Sequence, residues 1–276
     1  MSIGLALAAA ALWGSGDFLG GLANRTTPLL SVLVLSQGIG LIGMLVVAVI
    51  IGGAPSEADL GYGALGGLAG AAGVAMLYRG LASGSMSLVA PVTGVVAVVV
   101  PVVVGVGGGE RPAALQYAGI LLAVIAVALL SAGGSRGGRI GRTTLVLAVG
   151  AGIGFGLFYV ALARTSTDAN LWPLVTARAA SVLVLVAASA GARRVPTFGR
   201  TNPLVIIGAG VFDVTANALY LLSVHGGLLS IVAVLVSLYP VSTVLCSMIV
   251  LGERLRVPQV AAVGIAFAAV VLITAG

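Results

Sequence analysis

The chain is a succession of long apolar runs separated by short connectors that carry most of its charge, proline and turn-forming glycine. Cutting at charges and Pro/Gly clusters gives ten runs, near residues 2–22, 29–51, 59–82, 87–106, 113–131, 144–163, 171–190, 203–224, 229–250 and 258–275. About 20 apolar residues in a helix cross the hydrocarbon core of a bilayer, and every run is close to that length. The runs are continuous and do not alternate apolar with polar, which argues against membrane strands. Pro112, Pro173, Pro203 and Pro258 suit first helical turns, and Asn202 before Pro203 supplies an N-cap. The first twenty residues lack a basic start and a small-residue cleavage pattern, so they read as the first span and not as a removed signal. The longest connectors, GGSRGGRIGRT and GARRVPTFGRTN, leave no room for an extramembrane domain. The expected fold is an all-α polytopic membrane protein of ten transmembrane helices.

Composition agrees. Of 276 residues, 60% are hydrophobic and 7% charged, whereas soluble domains carry about a quarter charged residues; a water-soluble globule is excluded. The net charge of +6 comes entirely from Arg, placed mostly in connectors and forming no basic groove, which removes nucleic acid as a partner. A single Cys246 and a single His225 exclude a disulfide framework, a zinc cluster and Cys/His catalysis, so no metal or cofactor is expected. The 42 glycines sit within Ala, Val and Leu runs. Gly14, Gly66, Gly70, Gly73 and Gly154 would let helices approach closely.

The chain also matches itself. Shifting it by 143 positions aligns residues 87–131 with 230–274 without a gap, and 13 of the 45 pairs are identical. Gly109-Glu110-Arg111 and Gln116 fall on Gly252-Glu253-Arg254 and Gln259, a coincidence that Ala/Val composition does not produce. Upstream, Leu77-Tyr78 answers Leu219-Tyr220, and Gly14, Gly16 and Phe18 answer Gly154, Gly156 and Phe158. Two five-helix repeats are implied, over 1–135 and 144–276. Five is odd, so the second repeat enters the bilayer inverted, the arrangement that places a transporter's site at the midplane between halves.

These paired modules, with ALWGSGDFLGG near the start, SLYPVSTVL at Ser237–Leu245 and LGERL at Leu251–Leu255, resemble the EamA family of the drug/metabolite transporter superfamily. The resemblance covers essentially the whole chain and implies a basket of ten helices around a central cavity. It further implies export of amino acids or other small metabolites, and both termini inside the cell. The charges argue for the opposite orientation in a plasma (inner) membrane. Arg25, Arg79, Arg136, Arg139, Arg142, Arg193, Arg194, Arg200, Arg254 and Arg256 share one side, against Arg111 and Arg164 on the other. By the positive-inside rule the first side is cytoplasmic and the termini are extracytoplasmic.

Ionisable groups inside spans cost roughly 2.5–3.5 kcal/mol each on insertion scales and mark candidate sites. Asp17, Arg178 and Asp213 stand out. Asn217 and Tyr220, four and seven residues beyond Asp213, share its helix face and make a stripe of carboxylate, amide and phenol. Asp213 is either a site group, sharing Arg178 with a substrate carboxylate, or one half of a structural ion pair with Arg178. Asp17 lies near a helix end, where it is solvated, paired with Arg25, or joined with Trp13 at i−4 to receive an organic cation. Gln37, Tyr78, Tyr159 and Tyr239 are further polar groups within spans. Pro91, Pro101 and Pro240 lie inside the fourth and ninth runs and are candidate gating kinks. Glu110 and Glu253 read as caps or partners of adjacent Arg.

No Walker loop is present, so no ATPase subunit is required and gradients would drive transport of a small-molecule substrate by alternating access. A monomer and a homodimer are both compatible. An intramembrane enzyme on a lipid-linked substrate lacks the nucleophile, base or paired acids it needs. A non-transporting sensor or scaffold gives no reason for the intramembrane charges.

Overall fold

In the computed structural model, residues 2–82, 86–132, 142–193, 195–252 and 257–276 are described, without the side chains of 78, 81–82, 86–88, 90–91 and 130–132. The described chain is helical. It comprises α1 (Ser2–Ala23), α2 (Leu29–Ile51), α3 (Glu57–Ala82), α4 (Met86–Gly107), α5 (Ala114–Ala132), α6 (Arg142–Ala163), α7 (Trp172–Gly191), α8 (Pro203–His225), α9 (Leu229–Val236), α10 (Tyr239–Leu251) and α11 (Val257–Ala275), with a 3₁₀ turn at Thr167–Ala169. Among the described residues, eight helical segments are long and apolar enough to cross a membrane, and Val92–Gly107 and Ala114–Leu129 are shorter apolar helices. Residues such as Ile42, Val46, Val49 and Ile50 on α2 turn an apolar face outward, the pattern of a surface covered by lipid. The protein is a multi-pass membrane protein.

The sequence punctuates these helices as expected in several places. The Asn202 side chain accepts the Leu204 N–H at 3.0 Å to cap α8, and Pro203 and Pro173 occupy first turns. The ninth run is broken: α9 ends at Val236 and α10 begins at Tyr239, with Pro240 in its first turn. A proline lacks the N–H that would continue the ladder from α9, so the break falls where the ring demands it. Pro101 is fully buried in α4, which runs unbroken, and the side chain of Pro91 lies outside the described residues.

Helices of the two halves interlock. α1 packs on α8 and α10, α6 packs on α3 and α4, α2 packs on α7 and α8, α3 packs on α7, and α5 packs on α11. Glycine makes the closest crossings possible. A Cβ at Gly14 would strike the Tyr239 carbonyl and the Ser242 side chain of α10, one at Gly67 the Ala177 backbone of α7, and one at Gly154 the Ala69 carbonyl and Gly73 of α3. Small residues thus do for these helices what apolar burial does in water. All eight residues of α9 are buried, and that helix is the plug of the core.

Candidate functional site

The two halves enclose a cavity of about 570 Å³ whose wall includes Asn24 and Leu29 at the ends of α1 and α2. Arg25, Arg142, Arg193 and Arg200 lie at that same end of the molecule, beside the ends of α1, α6 and α7 and the start of α8. The wall also includes Gln37 on α2, Thr93 and Gly94 on α4, Phe155, Phe158 and Tyr159 on α6, and Tyr239 and Pro240 on α10. Three charged side chains line it: Asp17 on α1, Arg178 on α7 and Asp213 on α8.

Asp213 is fully engaged. One carboxylate oxygen meets an Arg178 guanidinium nitrogen at 2.5 Å. The other accepts the Trp13 indole N–H at 3.1 Å and the Asn217 amide at 3.2 Å. The Asn217 amide also donates to the Asp213 carbonyl at 2.6 Å. Of the two readings the sequence left open, the ion pair is present, and both of its residues also line the cavity. Such a pair in low dielectric holds only with its remaining hydrogen-bonding capacity satisfied, which Trp13 and Asn217 do for the carboxylate. Arg178 keeps 12% of its side-chain surface exposed and Asp213 36%. Ser181, one turn beyond Arg178, donates to the Gln37 side chain on α2 at 2.8 Å, and α2 lies against both α7 and α8.

Asp17 differs. It faces the cavity and is exposed to it, and among the described residues it has neither a hydrogen-bond nor an ion-pair partner. Pairing with Arg25 does not occur. Its electrostatic neighbours are Asp213, Tyr159 and Tyr239. Trp13, which the sequence places beside Asp17, donates instead across to Asp213.

Tyr220 is fully buried and stands behind the wall. Its hydroxyl donates to the Tyr159 carbonyl at 2.8 Å, tying α8 to α6, so it supports the site without facing solute. Trp13, Tyr159 and Tyr220 form a ring cluster with centroids 5.0–6.0 Å apart, and Phe158 adds an edge contact to Tyr159 at 5.7 Å. Tilted packing at these distances makes a firm aromatic floor. The Tyr78 side chain, Glu253, Arg254, Arg256, Arg136, Arg139 and Arg194 lie outside the described residues.

At the opposite end polar contacts join helices of the two halves; the capping role expected of Glu110 is among them, and the rest were missed by sequence reasoning. The Glu110 carboxylate, between α4 and α5, accepts the N–H groups of Leu229 and Ser230 at 2.6 and 2.9 Å and so caps α9 from the other half of the chain. Arg111 does not pair with it, donating instead to the carbonyls of Val106 and Glu110. The Asp59 carboxylate, at the start of α3, accepts from the Ser56 N–H and hydroxyl and from the Ser166 N–H and hydroxyl at 2.6–3.0 Å. The Ser56-x-x-Asp59 spacing, a capping box, was the available signal for half of this latch. Thr165 and His225 meet at 3.2 Å on the same end. At the arginine-rich end, the Thr27 hydroxyl donates to the Phe198 carbonyl at 2.7 Å and contacts the Thr201 hydroxyl at 2.8 Å.

A helical membrane protein with a charged cavity walled by both halves of its chain has the architecture of a transporter. A family profile, described as the EamA-like transporter family, matches residues 1–132 and again 142–275; the chain belongs to that family. The fold recurs among solved structures, of which 29 chains match. One, a crystal structure of a protein 16% identical in sequence, superposes with a TM-score of 0.75 over 99% of this chain and 96% of that one. A search of curated protein sequences found no match.

Proposed function

We propose that the protein is a gradient-driven transporter of small metabolites that works by alternating access, with five-helix halves at 1–135 and 144–276 inserted in opposite directions and ten crossings in all. The observation that carries this reading is the cavity of about 570 Å³ lined by helices of both halves, which reaches Asn24 at the end of α1 and holds Asp17, Arg178 and Asp213. The helix pairings support two equivalent repeats: exchanging the halves carries the α1 packing on α8 into that of α6 on α3, and α2 on α8 into α7 on α3, as a two-fold relation requires, and the odd number of helices per repeat is what argues for inversion.

The arrangement corresponds to one of the two states alternating access needs. Rocking the halves about the glycine crossings would release the Glu110 and Asp59 contacts and close the arginine-rich mouth. If the arginine-rich side is cytoplasmic, as the charge bias argues, this state faces inward, the termini are extracytoplasmic, and the substrate loads from the cell for export. Asp213, Arg178 and Asp17 contact solute or proton, with Asn217 and Trp13 positioning Asp213, and the break before Pro240 gives α10 a hinge beside the cavity. Amino acids are the substrates that the family resemblance implies.

Purified protein in liposomes tests this. Counterflow of a labelled solute, driven by an imposed proton or solute gradient without nucleotide, is the expected result. Product formation without flux, or no flux for any small solute under any gradient, would overturn it.

A further inference from the structure

The charges on the cavity wall are unequal in number and in availability. Two carboxylates face one guanidinium; Arg178 is the one cation among the described lining residues, and it is bound to Asp213. An anionic group entering the cavity finds no uncommitted positive partner. A cationic group finds Asp17, which has no partner among the described residues, in a wall that also includes Trp13, Tyr159 and Tyr239. Trp13 lies one turn before Asp17 on the same helix face, and Tyr159 and Tyr239 are its electrostatic neighbours. Aromatic faces carry negative potential and attract organic cations, so wall and carboxylate act in the same sense. The remaining lining is largely Gly, Ala, Val and Leu, which suits an apolar body and offers no second charge.

We propose that the substrate headgroup is an organic ammonium bound at Asp17, so that the transported class is amines with an apolar or aromatic body and no carboxylate. In this state the Arg178–Asp213 pair is committed to itself and shapes the site, which leaves Asp213 a role in proton coupling and Asp17 the contact with the headgroup. This inference rests on the transporter reading above and narrows it, since an amino acid would have to break that pair to place its carboxylate.

Three matched probes separate the possibilities: phenethylamine, phenylalanine and 3-phenylpropionate share one ring and differ in charge. Trp13 lies in the site and Trp172 is the other tryptophan of the chain, so binding is followed in detergent by Trp13 fluorescence in a Trp172→Phe background. Phenethylamine and the quaternary benzyltrimethylammonium are expected to bind and to compete with each other, and the other two probes to bind at least tenfold more weakly. Asp17→Asn is expected to weaken both cations at least tenfold, while Asp17→Glu keeps them. Phenylalanine binding as tightly as phenethylamine, cation affinity unchanged in Asp17→Asn, or no binding of either cation would each overturn the proposal. Should Asp17→Asn not fold, the ranking of probes on the unmutated site decides alone. Flux in liposomes is read separately: cation binding without flux removes the transporter reading and leaves the ammonium site, whereas flux of phenylalanine independent of Asp17 does the reverse.

Discussion

Replacing Glu110 probes the closed end of the molecule at its most directional contact. The carboxylate accepts two N–H groups at the start of α9, a helix whose eight residues are all buried, with Ser230 fully buried at the contact itself. Glu110→Ala leaves two donors without an acceptor where water enters poorly. At about 1–3 kcal/mol for each unsatisfied buried donor, offset in part by water at the helix end, the loss is about 2–4 kcal/mol. Glu110→Gln keeps an acceptor oxygen and removes the charge that favours a helix N-terminus, a loss of about 1 kcal/mol. With about 2–4 °C per kcal/mol for a chain of this size, the apparent melting temperature falls by about 5–15 °C for Ala and by a few degrees for Gln. The assay is heating in detergent followed by size-exclusion recovery. Gly105 sits so close to this carboxylate that a Cβ there would strike it, so Gly105→Ala is expected to lower stability in the same direction. Melting temperatures for both Glu110 variants within 1 °C of the parent would refute the capping argument.

Other consequences follow from the same geometry. Asp59→Ala removes four accepted hydrogen bonds that tie α3 to the loop before α7; it is expected to cost about 2–4 kcal/mol, read by the same thermal assay, with Asp59→Asn intermediate. Gly67→Val places a Cβ against the Ala177 backbone and is expected to cost at least about 1–3 kcal/mol through overpacking, so recovery of monodisperse protein falls sharply. Asp213→Asn removes the carboxylate with which Arg178 pairs and is expected to abolish transport or uncouple it from its gradient in liposomes while expression persists; normal flux and normal coupling would remove Asp213 from the site.

Much of the helical architecture was legible because a bilayer imposes one simple demand, a run of about 20 apolar residues, and this chain meets it repeatedly with its prolines and Asn202 at the starts. The candidate acids were legible too, since an intramembrane carboxylate is conspicuous in a sequence with seven acids in total. Their division of labour was not. Asp17 and Asp213 look alike as letters; only the fold reveals that Arg178, Trp13 and Asn217 all converge on Asp213 and leave Asp17 open. Helix periodicity assigns Trp13 to the face of Asp17, yet its indole N–H reaches 200 residues along the chain to another helix. Tyr220 shares a face with Asp213 but is turned into the aromatic cluster behind the wall. Glu110 reads as a helix cap or a partner of an adjacent Arg; it is a cap, but the helix it caps is α9 of the second half, which its spacing does not name. Long-range pairing of this kind leaves no trace in spacing, because it depends on how two halves interleave.

The relation between those halves is open to one direct measurement. The exposed connectors after α1 and after α6 hold equivalent places in the two repeats, so a single cysteine at Thr26 or at Asp168, in a Cys246→Ala background, reports which face of the membrane each occupies. Labelling right-side-out and inverted vesicles with a membrane-impermeant thiol reagent is predicted to modify the two positions from opposite faces. Modification of both from the same face would contradict an inverted pair of repeats, and with it the transport cycle built on them.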